Sequence, residues 1–247
     1  MQGKVALVTG GIGGIGTAVC IELAKGGAKV AANYFPAEAE KAQAWQAKMK
    51  ADGFDMMIVP GDVTDVASCK AMAEQVEKQL GPVDILVNNA GITRDGTFKK
   101  MSPEQWHAVI DTNLNSVYNV TAQVWNGMLE RGYGRIVNIS SVNGQKGQFG
   151  QANYSAAKAG IYGITKALAQ EGAAKGITVN SISPGYIGTE MVMAIPEKVR
   201  EQIVAQIPVG RLGKPEEIGR AVVFLAEENG GFITGSNLAI NGGQHMF

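Results

Sequence analysis

Short apolar runs alternate with longer helix-like segments along the whole chain, and this alternation is the strongest constraint on how it can fold. The pattern predicts strands at residues 5–8, 29–33, 56–59, 85–88, 134–139, 178–182 and 238–240. It predicts helices at residues 14–25, 37–51, 66–80, 103–114, 117–130 and 152–174, and Pro215 followed by two glutamates predicts the start of a further helix. Such alternation forms βαβ units, whose right-handed crossovers place helices on both faces of a buried parallel sheet. We therefore expect an α/β fold: one doubly wound domain over residues 1–247, with a mostly parallel seven-stranded sheet.

The size and charge of the chain argue against several kinds of partner. Its 247 residues, 45 % of them hydrophobic, suffice for one α/β domain with a sizeable core. Lys and Arg total 22, as do Asp and Glu, so the basic excess typical of nucleic-acid binding is missing. No apolar run reaches the roughly 18 residues of a membrane span. With two cysteines and a strand pattern that begins at Lys4, we expect a cytoplasmic protein without a targeting segment and without a nucleic-acid or membrane partner.

A glycine-rich turn at residues 9–16 follows the first predicted strand and opens the first predicted helix. Glycines allow a tight turn and a close approach of the backbone to a pyrophosphate, while the helix N-terminus offers free N–H groups to the anion. In this strand–turn–helix context the pattern favours a Rossmann-like dinucleotide site over a merely tight turn. The predicted cofactor contacts in this turn are Gly10, Gly11, Ile12, Gly14, Ile15 and Gly16.

The end of the second strand indicates which dinucleotide binds. NAD sites usually place an acid there to bond the ribose 2′-OH. Here the strand ends at Asn33 and the first acid afterwards is Glu38, so nothing close by repels a 2′-phosphate. Lys41 could supply the positive charge, and we expect NADPH, with Asn33 and Lys41 among its contacts. The alternative is that Glu38 reaches the ribose and that NAD binds instead.

Polar residues also follow the third and fourth strands. Asp62 and Val63 come after the third, and the run Asn88-Asn89-Ala90-Gly91 comes after the fourth. Ligands of open α/β sheets bind at the carboxyl ends of the strands, so both sites are predicted to meet the cofactor. The alternative is turn chemistry alone, since Asn, Asp and Gly are common turn residues.

Tyr154 and Lys158 lie four residues apart on the predicted helix 152–174, thirteen residues after Ser141. Residues at this spacing share one helix face. A lysine ammonium beside a phenol favours the phenolate, so we expect the pKa of Tyr154 to be lowered from about 10. Such a tyrosine can act as a general acid or base. The alternative, an incidental exposed pair, is weakened by the nucleotide signature at the other end of the chain.

Three motifs together resemble the short-chain dehydrogenase/reductase family over essentially the whole chain. They are TGxxxGxG at residues 9–16, NNAG at residues 88–91, and YxxxK at residues 154–158. Matching single positions and pairs are Ser141, Asn113, Pro184-Gly185 and Thr189. The resemblance implies that Tyr154 donates a proton to a substrate carbonyl. It also implies that Lys158 lowers the tyrosine pKa and bonds the nicotinamide ribose, and that Ser141 orients the carbonyl.

The same resemblance implies further roles around the cofactor. Asn113 would hold a water linking Lys158 to solvent, and Asp62 with Val63 would contact adenine. The remaining cofactor contacts implied by the family are Asn89, Ala90, Gly91, Pro184, Gly185, Ile187 and Thr189. In this family the helix after Tyr154 packs on its twin, which implies a homotetramer.

A closer resemblance, to NADPH-dependent acetoacetyl-CoA reductases, rests on residues 91–95, 138–151, 183–187 and 241–246. It implies reduction of acetoacetyl-CoA to (R)-3-hydroxybutyryl-CoA for polyhydroxybutyrate synthesis. The chain departs from that pattern at residues 33–41, so the 2′-phosphate contact stays open. The nearest alternative is a 3-oxoacyl-[acyl-carrier-protein] reductase, for which Arg131 and Lys175 are possible basic contacts. A catalytically silent cofactor-sensing protein is disfavoured because Ser141, Tyr154 and Lys158 are all present.

The substrate contacts are predicted from residues that flank the catalytic motif: Ser141, Gln148, Phe149, Gln151, Tyr154 and Tyr186. Amides can hold a thioester oxygen and the two rings can wall a short acyl chain, although ordinary loop packing is an equal alternative for each residue. Residues 188–213 are too long for a tight connection, and we expect a mobile substrate lid, the alternative being a docked helix. The two histidines and two cysteines lack metal-ligand spacing, so no metal site is predicted.

Overall fold

In the computed structural model, which describes residues 1–246, seven strands form one sheet. They are β1 (Val5–Val8), β2 (Lys29–Tyr34), β3 (Met57–Pro60), β4 (Val83–Asn88), β5 (Gly134–Ile139), β6 (Ile177–Pro184) and β7 (Asn237–Ile240). Every pairing is parallel and the order is β3-β2-β1-β4-β5-β6-β7, which confirms the predicted fold class. The strand order reverses between β1 and β4, so a crevice opens there at the carboxyl edge of the sheet.

Ten α-helices surround the sheet among the described residues. They are α1 (Gly14–Lys25), α2 (Ala39–Ala51), α3 (Val66–Leu80), α4 (Pro103–Ile110), α5 (Ser116–Arg131), α6 (Val142–Lys146), α7 (Ala152–Gly172), α8 (Glu190–Met193), α9 (Glu197–Ala205) and α10 (Pro215–Ala226). Within residues 1–246, none of these helices is both long enough and apolar enough to cross a bilayer.

The two faces of the sheet can be followed along β1. Ala6 and Val8 belong to a core cluster that includes side chains from α1, α2 and α10. Val5 and Leu7 belong to a second cluster, built with α3, α5 and α7. Successive strand residues point to opposite faces, so a strand covered on both sides is apolar at every position. This explains why the strands read as uninterrupted apolar runs and confirms that helices cover both faces.

Three predicted helix boundaries differ from the structure by more than one residue. The predicted helix at 103–114 ends as an α-helix at Ile110 and continues as a π-helical turn over Asp111–Asn115. Asn113 Nδ2 donates to Val109 O at 2.8 Å, and this side-chain bond competes with the regular backbone ladder. The predicted helix at 37–51 begins with a 3₁₀ turn at Pro36–Glu38, and the predicted helix at 152–174 ends at Gly172.

The sequence pattern missed three short helices, α6, α8 and α9. Helices α8 and α9 fall in the segment predicted as a lid. Both ends of that segment are tied together, since Gly188 N donates to Gly213 O at 2.8 Å and Gly213 N donates to Tyr186 O at 2.9 Å. Helices of four or five residues show too little periodicity to be read from a sequence.

Helix α4 has a well-defined start that can be tested. Gln105 N donates to Ser102 Oγ at 3.3 Å, and Ser102 N donates to Gln105 Oε1 at 3.0 Å, forming a capping box. We expect Ser102→Ala to lower the free energy of unfolding by about 1 kcal/mol. The backbone N–H of Gln105 would lose its acceptor, and the reciprocal bond from Ser102 N would no longer be supported. Ser102→Asp, which can still accept from the helix, is the control and should lose much less in chemical denaturation. Equal losses in the two variants would contradict the capping account.

Candidate active site

The glycine-rich turn between β1 and α1 has several glycines at which a side chain would not fit. Gly10 has φ +61°, a left-handed conformation that favours glycine. A Cβ added at Gly11 would lie 2.7 Å from Ala32 Cβ, and one added at Gly16 would collide with Gly10 O. These glycines therefore leave the backbone accessible to a ligand, and no side chain at the N-cap caps the N–H groups at the start of α1.

Neighbouring strands hold this turn in place. Gly10 N donates to Asn33 Oδ1 at 3.2 Å, from the end of β2. Thr9 Oγ1 accepts from Asn89 N at 2.9 Å and from Ala90 N at 3.0 Å, while Asn89 Nδ2 donates to Thr9 O at 3.0 Å. The segment after β4 thus meets the glycine-rich turn directly.

Two predicted cofactor contacts have partners within the protein. Asn33 is 2 % exposed, and its amide nitrogen donates to Gly61 O at 3.0 Å in addition to the bond its oxygen makes with the turn. The exposed Lys41 Nζ lies 3.0 Å from Glu38 Oε1, so its charge is partly offset. Lys41 remains at the surface beyond β2 and could still meet a 2′-phosphate, whereas Asn33 serves the turn itself.

At the end of β3, turn chemistry and the predicted site coincide. Asp62 Oδ1 accepts from Thr64 N at 2.9 Å and from Thr64 Oγ1 at 2.7 Å. Val63 is buried, and its carbonyl accepts from Asn119 Nδ2 at 3.0 Å. Asp62 therefore does act as a turn residue. These two bonds use only Oδ1, so the second carboxylate oxygen can still accept from a ligand.

The structure brings Ser141, Tyr154 and Lys158 together where β5 ends and α7 begins. Lys158 Nζ lies 5.7 Å from the centre of the Tyr154 ring and donates to Ile139 O at 2.8 Å. The hydroxyl of Ser141, the N-cap residue of α6, lies close enough to the Tyr154 phenol to lower the pKa of that phenol. Ser140 points elsewhere, since its Oγ donates to Lys158 O at 2.7 Å. Of these two neighbouring serines, Ser141 is therefore the one that faces Tyr154.

Ser141 is held from two further sides. Asn143 N donates to Ser141 Oγ at 3.1 Å, and Tyr162 Oη donates to Ser141 O at 3.0 Å. Tyr162 Oη also lies 2.9 Å from Ser183 Oγ on β6. Tyr162 belongs to none of the motifs, although Tyr154, Lys158 and Tyr162 follow one helix face at intervals of four. With one lone pair of its oxygen engaged, Ser141 retains a hydroxyl proton to donate.

Asn113 lies beside this cluster, at the π-helical turn. Its Oδ1 accepts from Ile92 N at 3.1 Å, and its Nδ2 donates to Ile92 O at 2.9 Å. A Cβ added at Gly91 would lie 3.6 Å from Lys158 Nζ and would collide with Asn113 Oδ1. Gly91, Asn113 and Lys158 are thus neighbours, and the Asn113 side chain is occupied by backbone groups.

The electrostatics differ from the sequence expectation. The pKa of Tyr154 is raised, chiefly by burial of its phenol; the Ser141 hydrogen bond opposes this and the Asp95 charge adds to it. Tyr154 as a whole is half-buried, and the desolvation acts on its phenol. Burial also lowers the pKa of Lys158 to about 8. The expectation that the Lys158 ammonium lowers the pKa of Tyr154 is therefore wrong for this arrangement, because burial disfavours both charges.

The segment after β6 closes the other side of the crevice. Following Pro184 at the strand end, Gly185 N donates to Ile240 O at 2.9 Å, and Ile187 is buried. A Cβ added at Gly14 would lie 2.7 Å from Thr189 Cγ2, so Thr189 packs against the glycine-rich turn. The structure therefore places the predicted contacts after β6 next to those after β1.

The proposed substrate residues differ in how firmly they are held. Gln148 Oε1 accepts from Lys146 Nζ at 3.1 Å, and Phe149 is 86 % exposed. Gln151 bonds to Asn143 on one side and Asp95 on the other. Tyr186 is half-buried, and its pKa is raised by burial and by Asp95. Sequence reasoning assigned no role to Asn143 or Asp95, since their partner Gln151 is 8 and 56 residues away.

Cysteine and metal chemistry find no support in the described part of the chain. Cys20 and Cys69 are buried free thiols. Burial raises the pKa of the Cys20 thiol, and burial together with Asp62 and Asp65 raises the pKa of Cys69 to about 11, so neither is an effective nucleophile at neutral pH. Within residues 1–246, no three His, Cys, Asp or Glu side chains cluster closely enough to hold a metal ion.

The lowered pKa of Lys158 predicts a pH-dependent stability. Between about 8 in the folded protein and 10.5 in the unfolded chain, Lys158 binds more protons in the unfolded state, so its contribution to stability rises with pH. Across this window, the free energy of unfolding of the wild type should rise by at most about 3 kcal/mol relative to that of Lys158→Met. Denaturant titrations from about pH 7 to about pH 10 measure this difference. Lys166→Met, on the exposed face of α7, is the matched control, and a Lys158→Met difference as flat as this control would contradict the prediction.

Known proteins match the chain over nearly its whole length. A family model described as enoyl-(acyl carrier protein) reductase matches residues 10–245. An acetoacetyl-CoA reductase of Allochromatium vinosum is 58 % identical over 243 residues, covering 98 % of this chain and 99 % of the relative. One of Rhizobium meliloti is 61 % identical over 244 residues, covering 98 % and 99 %. A 3-oxoacyl-[acyl-carrier-protein] reductase of Escherichia coli is 47 % identical over 246 residues, covering 99 % and 98 %.

These matches agree with the geometry. The parallel sheet with its bare glycine-rich turn provides a dinucleotide cradle, and Ser141, Tyr154 and Lys158 meet beside it. The resemblance read from the motifs is confirmed by relatives of more than half identity across almost the entire chain. The chain belongs to the short-chain dehydrogenase/reductase family of oxidoreductases.

Proposed function

We propose that this protein reduces acetoacetyl-CoA to (R)-3-hydroxybutyryl-CoA with NADPH, the step that would supply polyhydroxybutyrate synthesis. The observation that carries the proposal is the meeting of Ser141, Tyr154 and Lys158 beside the glycine-rich turn. The names of the A. vinosum and R. meliloti relatives supply the substrate. The (R) configuration and the metabolic use of the product are taken from the family resemblance.

The residues present fit a nicotinamide dinucleotide. Turn residues that tolerate no Cβ allow a close approach of the pyrophosphate, and the N–H groups of α1 provide its donors. Asn89, Ala90 and Gly91 would line the middle of the crevice, and Ile187 and Thr189 its far side. When bound, NADPH supplies the hydride that is added to the ketone carbon.

Tyr154 supplies the proton in this mechanism. Its raised pKa keeps the phenol protonated at neutral pH, which is the form that a general acid for ketone reduction requires. Ser141 donates a hydrogen bond to the same ketone oxygen, because its own oxygen already accepts from Asn143 N. Lys158, whose pKa of about 8 lies close to neutrality, can return a proton to Tyr154 after each turnover.

NADPH is favoured over NADH by the end of β2. Its last residues, Asn33 and Tyr34, carry no charge, and the nearest acid, Glu38, is already paired with Lys41 at 3.0 Å. A 2′-phosphate would therefore meet a lysine rather than a free carboxylate. For Lys41 to bind the 2′-phosphate, its ammonium must first leave Glu38.

CoA is favoured over an acyl carrier protein as the thiol carrier. A carrier protein is acidic and its partners present basic side chains. The two candidate basic contacts are Arg131 and Lys175. Arg131 Nη2 already donates to Val83 O at 2.7 Å, which holds its guanidinium beside β4. Next to it Gly132 has φ +64° and no side chain. Lys175 is exposed, but one lysine is a weak electrostatic patch.

We place a homotetramer contact along α7, where Gly163 has open space in front of it. Residues 188–213 would act as a lid, with Met191 and Met193 exposed on α8. The two free thiols fit the reducing cytoplasm.

Tyr154→Phe tests the proton donor. Removing the hydroxyl should lower kcat for acetoacetyl-CoA by at least about 100-fold while the affinity for NADPH is kept, because only proton transfer is lost. Initial rates and fluorescence titration of NADPH measure the two quantities. Tyr118→Phe, at an exposed position of α5, is the matched control and should retain wild-type rates. Near-wild-type kcat in Tyr154→Phe would exclude this mechanism.

The substrate assignment is tested by comparing acetoacetyl-CoA with acetoacetyl-acyl-carrier-protein, each with NADPH and with NADH. We expect the highest kcat/KM for the CoA ester with NADPH. A preference for the carrier protein would indicate a role in fatty-acid synthesis. A preference for NADH would contradict the inference that the uncharged end of β2 favours NADPH.

A further inference from the structure

A chain of three polar side chains runs across the entrance to the proposed active site. Asn143 Nδ2 donates to Gln151 Oε1 at 2.9 Å, and Gln151 Nε2 donates to Asp95 Oδ2 at 2.9 Å. The chain joins α6, the residue before α7 and the segment after β4. Gln151 is its central member and lies three residues before Tyr154.

The polarity of this chain is fixed by Asp95. An ionised carboxylate can only accept hydrogen bonds, so the Gln151 atom that faces Asp95 must be the amide nitrogen. The amide oxygen of Gln151 then faces Asn143, which must present its own nitrogen. One acidic residue therefore determines the orientation of both amides.

This arrangement leaves a polar atom of Asn143 without a partner. Asn143 is 8 % exposed, and its Oδ1 is buried with no hydrogen-bond partner among residues 1–246. An unpaired buried acceptor costs free energy, so an asparagine here is hard to explain by stability alone. Turning the amide round would place its oxygen against Gln151 Oε1 and break the chain.

Gln151 keeps one group free for a ligand. Its nitrogen carries two hydrogens, of which one is given to Asp95. The second N–H is a donor and needs an acceptor oxygen. Near its reacting ketone, a 3-oxoacyl thioester offers only acceptor oxygens, and the thioester carbonyl is one of them.

We propose that Asn143 is a positioning residue: with Asp95 it fixes the Gln151 amide so that a Gln151 N–H donates to the thioester carbonyl of the substrate. The inference rests on the proposed function, since it takes a 3-oxoacyl thioester as the substrate. Asn143 also donates its backbone N–H to Ser141 Oγ, so one residue orients both the Ser141 hydroxyl and the Gln151 amide. A ligand with a donor group at this place would meet an N–H instead of an acceptor and would be rejected.

The coupling is tested with Asn143→Ala, Gln151→Ala and the double variant. Each single change should raise KM for acetoacetyl-CoA about tenfold with little change in kcat, as expected for one lost hydrogen bond to the substrate. The double variant should be no worse than Gln151→Ala, because Asn143 acts through Gln151. Independent effects that multiply to about a hundredfold would overturn the inference, as would a fall in kcat with KM unchanged.

The direction of the amide is tested by reversing the chain. The double variant Asn143→Asp, Asp95→Asn places an acceptor at position 143 and an amide donor at position 95. Both neighbours then favour the flipped Gln151 amide, whose oxygen would repel the thioester carbonyl. We expect the double variant to recover the Tm lost in Asn143→Asp alone, while its KM stays about tenfold above that of Asp95→Asn alone. A KM equal to that of Asp95→Asn would refute the donor assignment.

Two controls separate folding and substrate identity from positioning. Gln170→Ala, an exposed glutamine on α7, should leave KM and Tm unchanged. Asn143→Ala also removes the unpaired oxygen, and its Tm should stay near that of the wild type. Failure of the wild type to reduce acetoacetyl-CoA would refute the proposed function, whereas an active wild type with unchanged KM in Asn143→Ala and Gln151→Ala would refute only this inference.

Discussion

Buried hydrogen bonds that fasten α7 to the end of β5 are the constraint on which the rest of the site depends. Asn138 Oδ1 accepts from Asn88 Nδ2 at 2.8 Å, and its Nδ2 donates to Thr165 Oγ1 at 2.9 Å. About two turns closer to the crevice, the Lys158 ammonium donates to Ile139 O and the Lys158 carbonyl accepts from Ser140 Oγ. Because Ser141 follows β5 and Tyr154 lies on α7, these bonds set the distance between the two groups that would hold the ketone oxygen.

Burial also sets the charge state of the site. It raises the pKa of Tyr154 and lowers the pKa of Lys158 to about 8, so both side chains are pushed towards their neutral forms. A protonated tyrosine is the form that reduction needs, and a lysine that titrates near neutrality exchanges protons readily. A site of this kind is arranged for proton donation by the phenol, with the lysine as a nearby source of protons.

Much of the fold could be predicted from the sequence, because periodicity and turn residues act locally. The bounds of β1, α1, α3 and β5 agree with the pattern, and the glycine-rich turn lies where the motif placed it. The five-residue α6 and the π-helical turn at Asn113 could not be predicted, since they depend on side-chain bonds rather than on a hydrophobic period.

The site was less predictable than the fold for the same physical reason. Asn33 was expected to meet the cofactor, yet its amide holds Gly10 from 23 residues away. The direction of the Tyr154 pKa depends on burial, which the spacing of Tyr154 and Lys158 does not reveal. The chain through Gln151 joins residues 56 positions apart, and no local pattern marks such a contact.

The most direct test is the titration of Tyr154 itself, followed by NMR in protein labelled with carbon-13 at the tyrosine Cζ. Comparison with Tyr154→Phe assigns the resonance. The account predicts a pKa above the ordinary 10.0, because burial of the phenol outweighs its hydrogen bond from Ser141. A pKa clearly below that value would show that the Lys158 charge dominates and would contradict the description of Tyr154 as a proton donor kept protonated by burial.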